Sequence, residues 1–225
     1  MYEFLTGPML WVTFSVLVVV LTARVVLYIK GLNWQLDRVA YTEHFSYGIK
    51  GAFRSIIFFL LPFGNRSWRT KPGMTVLVFT FHIGLVVTPI FLLAHNIILN
   101  ERLGISLPVI SSFVADALSW AVIVSAIFLV LRRIAFPEVR ILTTQYDYLL
   151  LLISVAPFVT GLLARYHVGD YDFWLLAHIF CGHVMLLAIP FTKLSHIVLF
   201  FMSRGQLGMD FGIKRGGMKG KGMAW

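Results

Sequence analysis

Residues 172–202 read DFWLLAHIFCGHVMLLAIPFTKLSHIVLFFM, an apolar run that contains three histidines. A helix of about 20 predominantly apolar residues crosses a lipid bilayer. This run is long enough to span the hydrocarbon core and to tilt or project beyond it. It therefore predicts a membrane helix, and its histidines are functional candidates because ionisable residues are costly at membrane depth.

Four further apolar runs have the length of a membrane span, at about 8–30, 74–99, 108–131 and 146–166. The composition agrees, with 59% hydrophobic and 13% charged residues and a mean hydropathy of +0.84. Soluble domains contain about 45–50% apolar and about 25% charged residues. We therefore predict an all-α polytopic membrane protein whose residues 1–204 form a bundle of five transmembrane helices.

The basic residues lie in the connections between the apolar runs, so the net charge of +9 does not indicate nucleic-acid binding. Alternate connections lie on the same side of the membrane, and on one of the two sides the only cations are Arg102 and Arg165. The positive-inside rule then predicts an N-terminus outside and a C-terminus in the cytoplasm. The cations on the opposite side are Lys30, Arg38, Lys50, Arg54, Arg66, Arg69, Lys71, Arg132, Arg133, Arg140, Arg204, Lys214, Arg215, Lys219 and Lys221.

Two segments outside the apolar runs carry further expectations. In the cytoplasmic loop 31–73, residues 51–63 are apolar but too short to span, with Lys50 and Arg54 beside them. They suit either an interfacial helix or a docking surface for a cytoplasmic partner. The basic, Gly-rich tail 205–225 predicts an extended arm.

Histidines in the second and fifth runs suggest metal ligation. Haem iron takes two neutral imidazoles as axial ligands. His82 and His95 lie in the second run, separated by roughly 20 Å in a continuous helix at 1.5 Å per residue. His178 and His196 lie in the fifth, separated by roughly 27 Å and five whole turns. These matched depths favour two haem sites over interhelical hydrogen bonds.

The predicted orientation pairs these histidines between the two helices. The second helix runs outward and the fifth runs inward, so His82 faces His196 at the cytoplasmic level. At the outer level His95 faces either His178 or His183. We prefer His178, because His183 lies about 140° around the helix from His196.

Around these histidines the chain resembles the cytochrome b (gamma) subunit of respiratory nitrate reductase, over about residues 74–200. Three motifs carry the resemblance: Phe81-His82-Ile83-Gly84; Arg132-Arg133 followed by Phe136-Pro137-Glu138-Val139-Arg140, Thr143-Thr144 and Asp147; and His178 followed after eleven residues by Pro190-Phe191-Thr192-Lys193-Leu194 and, one residue later, His196.

His95 departs from that pattern, since it lies three residues later than the nitrate reductase spacing. Its surroundings, Thr88-Pro89-Ile90 and Ala94-His95-Asn96, are more similar to a branch of sulfate reducers and related anaerobes. There the cytochrome b pairs with a heterodisulfide-reductase-like iron–sulfur subunit, as in the Tmc, Hme and Dsr membrane complexes. The short chain with its basic tail most resembles the Tmc cytochrome b subunit.

The resemblance implies two haem b groups, held by His82 and His196 on the cytoplasmic side and by His95 and His178 on the outer side. It implies an electron-transfer subunit of an oxidoreductase complex in the cytoplasmic (inner) membrane of a bacterium. The expected partners are a cytoplasmic iron–sulfur subunit and, at the outer end, menaquinone or a periplasmic multihaem cytochrome c. Whether the chain itself is a quinone oxidoreductase stays open.

Two charged residues are further candidates. Lys193 is expected either to pair with a haem propionate or to snorkel to the membrane surface. Asp116 is a candidate proton acceptor for a quinol, or else a helix-start acid in a hydrated niche. Two other functions remain open, a proton-conducting or transporter subunit that uses its intramembrane histidines and a structural anchor for a soluble redox complex.

Overall fold

The computed structural model describes residues 1–32 and 45–214, and these two ranges are helical without any strand. Five helices in them are long and apolar enough to cross a membrane: Tyr2–Gly31, Pro72–Phe91, Ser112–Ala135, Gln145–Arg165 and Tyr171–Phe191. The prediction of an all-α protein with five candidate spans is therefore confirmed. The inferences on Arg38, Arg215, Lys219 and Lys221 fall outside the described residues.

The described helices are numbered in chain order. They are α1 (Tyr2–Thr6), α2 (Pro8–Gly31), α3 (Phe45–Leu60), α4 (Arg66–Thr70), α5 (Pro72–Phe91), α6 (Leu93–Leu103), α7 (Ser112–Ala135), α8 (Pro137–Arg140), α9 (Gln145–Arg165), α10 (Tyr171–Phe191) and α11 (His196–Lys214), with a 3-10 turn at Lys193–Ser195.

The chain forms two compact units. The first contains Met1–Ser15 and Val76–Ala188, and the second contains Val16–Thr75 and Ile189–Trp225. In the first unit Phe81, Val122, Ala126 and Phe158 make a buried core that joins α5, α7 and α9. Gly84 permits this packing, because a Cβ atom there would lie 2.5 Å from a methyl carbon of Val122.

The second predicted span, 74–99, is not one helix. It is interrupted at Leu92, whose backbone is extended (φ −71°, ψ 134°). Pro89 removes one amide donor from α5, and Asn96 replaces donors that the interruption takes away. Its side-chain nitrogen donates to the carbonyl oxygens of Ile90 (3.1 Å) and Leu92 (3.3 Å). The predicted separation of roughly 20 Å between His82 and His95 required a continuous helix and is therefore wrong.

The fifth predicted span, 172–202, is also interrupted. Pro190 lies at the end of α10 and has no amide to donate. Thr192 then takes an extended backbone, and its hydroxyl accepts from the amide of Leu194 at 3.1 Å, which caps the 3-10 turn. Since α11 begins anew at His196, His178 and His196 are not separated by five unbroken turns, and the prediction that they share one helix face is wrong.

The first part of the tail is helical, so the expected extended arm is wrong for residues 205–214. Gly205, Gly208 and Gly212 recur three and four residues apart, which places them on one face of α11. A Cβ atom on Gly208 would lie 2.6 Å from the Cα of Ala52, and one on Gly212 would lie 2.6 Å from the Tyr47 carbonyl oxygen. Gly208 and Gly212 therefore allow α11 to pack closely on α3.

This packing predicts different effects for two glycines of α11. Gly208→Ala should lower the free energy of unfolding by about 1–3 kcal/mol, because the added carbon overpacks a backbone contact. Gly205→Ala is the matched control, since its Cβ would lie 4.0 Å from the nearest atom, on Ile56. Thermal unfolding of the purified protein in detergent measures both, and equal midpoints would contradict the close contact.

A paired-histidine candidate site

His95 of α6 and His178 of α10 lie against each other in the first unit. Their ring centres are 5.9 Å apart and their planes differ by 10°. Two imidazoles on opposite sides of one metal ion would have ring centres roughly 6 Å apart, given metal–nitrogen bonds of about 2 Å. Offset aromatic rings without a metal also adopt such separations. The hydrogen bonds of the two rings are therefore the observation that shows which nitrogens are available to a metal.

The ring of His95 is anchored by the interruption of the second span. Its Nδ1 donates to the carbonyl oxygen of Pro89 at 2.8 Å. In an unbroken helix that carbonyl would accept from the amide of Leu93. Because a carbonyl oxygen only accepts, the proton lies on Nδ1 and the lone pair lies on Nε2, the form in which imidazole binds metals.

His178 is anchored in the same way on α9. Its Nδ1 donates to the carbonyl oxygen of Pro157 at 2.8 Å. The ring reaches this oxygen over Gly161, where a Cβ atom would lie 3.0 Å from Nδ1 and 3.1 Å from Cε1. Within residues 1–32 and 45–214, neither His178 nor His95 has a hydrogen bond at Nε2. The pair thus presents two lone-pair nitrogens.

The other two predicted ligands have the same anchoring. Nδ1 of His82 donates to the carbonyl oxygen of Val78 at 2.7 Å, and Nδ1 of His196 donates to that of Lys193 at 3.0 Å. His82 belongs to the first unit and His196 to the second. Their pairing stays a prediction, and each has its proton on Nδ1.

His183 has the opposite arrangement and is 4% exposed. Its Nε2 donates to the carbonyl oxygen of Leu5 at 3.0 Å, and its Nδ1 accepts from the hydroxyl of Thr13 at 2.9 Å. Both ring nitrogens are therefore engaged within the first unit. This favours His178 over His183 as the partner of His95.

The two charged candidates have local contacts of their own. Asp116 of α7 forms an ion pair with Arg165 of α9, with Oδ1 3.5 Å from Nε. This contact gives the carboxylate a cationic partner, and its action on a quinol stays a prediction. Lys193 is exposed in the 3-10 turn, and its carbonyl anchors His196. Its pairing with a propionate is likewise untested.

Arg24 is a further candidate residue that the sequence prediction did not include. It lies inside the first apolar run and is therefore absent from the cations of the connections. Its Nη1 donates at 3.1 Å to the hydroxyl of Ser195, the residue before His196. An arginine within a membrane span is costly unless it serves a partner, and this rule could have identified it.

A metal site built by the protein alone is not found in the described part of the chain, where no group of three or more His, Cys, Asp or Glu side chains comes together. Cys181 is a free, half-buried thiol. Haem differs from such sites, because the porphyrin supplies the equatorial ligands and the protein needs to supply only axial ones. Pairs of histidines are thus compatible with haem and unsuited to a four-ligand zinc site.

Comparisons with known proteins establish one relationship. A protein of Nitratidesulfovibrio vulgaris strain Hildenborough is 58% identical over 226 residues, with 100% of both chains covered. The chain belongs to the same family as this protein. No family model and no solved structure matches the chain. The similarity extends over the whole chain. The relative's description states no activity, so the relationship adds no function.

Proposed function

We propose that the chain is the membrane cytochrome b subunit of an anaerobic respiratory complex in the cytoplasmic membrane of a bacterium. It passes electrons across the bilayer through two b haems, one held by His95 and His178 and the other by His82 and His196. The tautomers carry the proposal. All four histidines donate from Nδ1 to a backbone carbonyl. In the neighbouring pair of His95 and His178 this leaves the lone pair on Nε2, which has no hydrogen bond within residues 1–32 and 45–214.

The chain's own residues would supply position and electrostatics to this function. Each b haem, when bound, contributes an iron that exchanges one electron reversibly. The carbonyl oxygens of Pro89 and Pro157 orient the two outer imidazoles and raise their basicity. Gly161 provides the room for one of them.

Cations near His196 suit the propionates of the cytoplasmic-side haem. Arg24 is hydrogen-bonded to Ser195, and Lys193 lies in the same turn. Within residues 1–32 and 45–214 Arg24 donates to Ser195 and forms no ion pair with a carboxylate. A propionate would supply the negative charge that a membrane arginine requires.

Electrons would enter and leave at the two ends of the haem pair. On the cytoplasmic side the proposed partner is an iron–sulfur subunit like that of heterodisulfide reductases. On the outer side it is menaquinone or a periplasmic multihaem cytochrome c. The distribution of cations supports an outside N-terminus and a cytoplasmic C-terminus.

Visible spectroscopy of the purified full chain tests the proposal. Expression with an adequate haem supply should give a Soret band, a b-type alpha band on reduction, and about two haems per chain in the pyridine haemochrome assay. A chain purified as folded protein without a Soret band overturns the proposal. That result would favour the alternative of a proton-conducting or transporter subunit, for which proton flux into vesicles is the next measurement.

Gly161 provides a more local prediction. Gly161→Ala places a carbon 3.0 Å from Nδ1 of His178 and should displace the ring from the Pro157 carbonyl. Removal of such orienting contacts weakens metal binding by about 10–100-fold. The outer haem should therefore be lost preferentially when a haem-binding competitor such as apomyoglobin is added.

Gly73→Ala is the control for this experiment, because a Cβ on Gly73 would have no neighbour within 4 Å. It should retain both haems at the rate of the parent chain. Identical haem loss from the two variants would show that Gly161 does not support the site.

A further inference from the structure

Helix α3 has an exposed apolar stripe along its length. At 100° per residue, its five members fall within an arc of roughly 120°. All are at least 36% exposed, and the stripe consists of Phe45, Ile49, Phe53, Ile57 and Leu60.

The rest of the helix surface differs sharply from the stripe. Gly48, Gly51 and Ser55 are buried, and Gly51 lies in the close contact with α11. Lys50 and Arg54 are exposed along one edge of the stripe. The helix thus has one face packed on its own unit, one apolar face, and a cationic edge between the apolar face and water.

The length and the charges of α3 are unfavourable for a membrane-spanning position. It has 16 residues, fewer than the roughly 20 needed to cross a bilayer. Lys50 and Arg54 lie near its middle, where a membrane centre would cost about 2.5–3.5 kcal/mol for each on insertion scales. A position in the plane of the membrane surface avoids this cost, because long cationic side chains then reach the headgroups.

Hydrogen bonds fix the end of α3 near the start of a membrane span. The indole Nε1 of Trp68 donates to the carbonyl oxygen of Phe59 at 3.3 Å. The hydroxyl of Thr75, in the first turn of α5, donates to the carbonyl oxygen of Trp68 at 2.7 Å. The 20 residues of α5 match a hydrocarbon core of about 30 Å, so its first turn lies at the membrane–water boundary.

We propose that α3 is an in-plane membrane helix. Its apolar stripe inserts into the boundary between headgroups and acyl chains, and Lys50 and Arg54 bind anionic lipid headgroups beside it. Trp68, at the joint with α5, has the amphipathic ring typical of this depth. The occupant of the stripe is therefore lipid and not a protein partner.

Spin labels on the full chain in vesicles of phosphatidylcholine and phosphatidylglycerol test this assignment. Single cysteines replace Phe53 or Ile57 in a Cys181→Ala background. Leu152→Cys, exposed on the span α9, is the lipid reference, and Arg69→Cys, exposed in α4, is the water reference. Labels at 53 and 57 should collide with oxygen as the lipid reference does and be shielded from a nickel chelate.

Two results would overturn the proposal. One is collision with the nickel chelate at the rate of the water reference. The other is shielding from both reagents, which would mean that protein covers the stripe. Cross-linking of the unsubstituted chain by a photoreactive lipid, followed by mass spectrometry, provides a measurement without cysteine variants. Attachment should occur within residues 45–60, and its absence there would also overturn the proposal.

The cationic edge is tested in the same vesicles. Raising the phosphatidylglycerol fraction should deepen the label at position 53. Lys50→Gln together with Arg54→Gln should abolish that dependence, while leaving the oxygen collision rate in pure phosphatidylcholine unchanged. A dependence that survives the double substitution would contradict headgroup binding by these two residues.

Discussion

His178→Ala is expected to remove one of two b haems, and His95→Ala is expected to remove the same one. Their rings face each other at 5.9 Å, and each is oriented by a carbonyl hydrogen bond at 2.8 Å. In the proposed site, loss of one imidazole would leave the haem with a single protein ligand. The haem content should fall from about two to about one per chain in either variant.

The double variant distinguishes a shared site from two separate ones. Since both histidines serve one iron in the proposal, combining the substitutions should remove no further haem. A potentiometric titration should show the same redox component missing in all three proteins. His167→Ala is the matched control, because His167 is exposed and stacks on Tyr171 with ring centres 5.0 Å apart. If His95→Ala and His178→Ala each lacked a different redox component, the two histidines would not serve the same haem.

His183→Ala is expected to destabilise the protein while leaving both haems bound. The substitution deprives the Leu5 carbonyl of its donor and the buried Thr13 hydroxyl of its acceptor. Each buried polar group left unsatisfied costs about 1–3 kcal/mol. For a chain of this size the expected decrease in thermal midpoint is roughly 5–15 °C.

His183→Gln tests the cause of that decrease. Its side-chain amide can still donate to the Leu5 carbonyl, so part of the lost thermal stability should return. Haem content at a temperature where both variants are folded provides the second measurement. If His183→Ala instead lost the outer haem and kept its midpoint, His183 rather than His178 would be the partner of His95.

The two helix interruptions show the limits of reading spans from apolar runs. Pro89 and Pro190 lie inside the runs 74–99 and 172–202 and signal weak points, but apolar composition continues past both. The position of each break depends on replacement donors and acceptors. Asn96 supplies donors at one break, and Thr192 supplies an acceptor at the other. Hydropathy does not record such contacts.

The histidines show the same division between sequence and structure. The sequence shows that five of the seven histidines lie in two apolar runs, and it also predicts His178 as the partner of His95. The predicted angle between His183 and His196 required an unbroken helix and is wrong, because the helix is interrupted at Thr192. The hydrogen bonds of His183 favour the same choice on a different ground.

The sequence by itself determined that this is an all-α chain with five candidate membrane spans, because a bilayer demands about 20 apolar residues whatever the neighbouring helices are. It also located the four histidines. His82, His95 and His196 bond to carbonyls three to six residues earlier in the chain. For His178 and His183 only the tertiary structure decided the partners, because these come from elsewhere in the fold. Thr13 is 170 residues from His183, and Pro157 is 21 residues from His178. Packing alone brings such groups together.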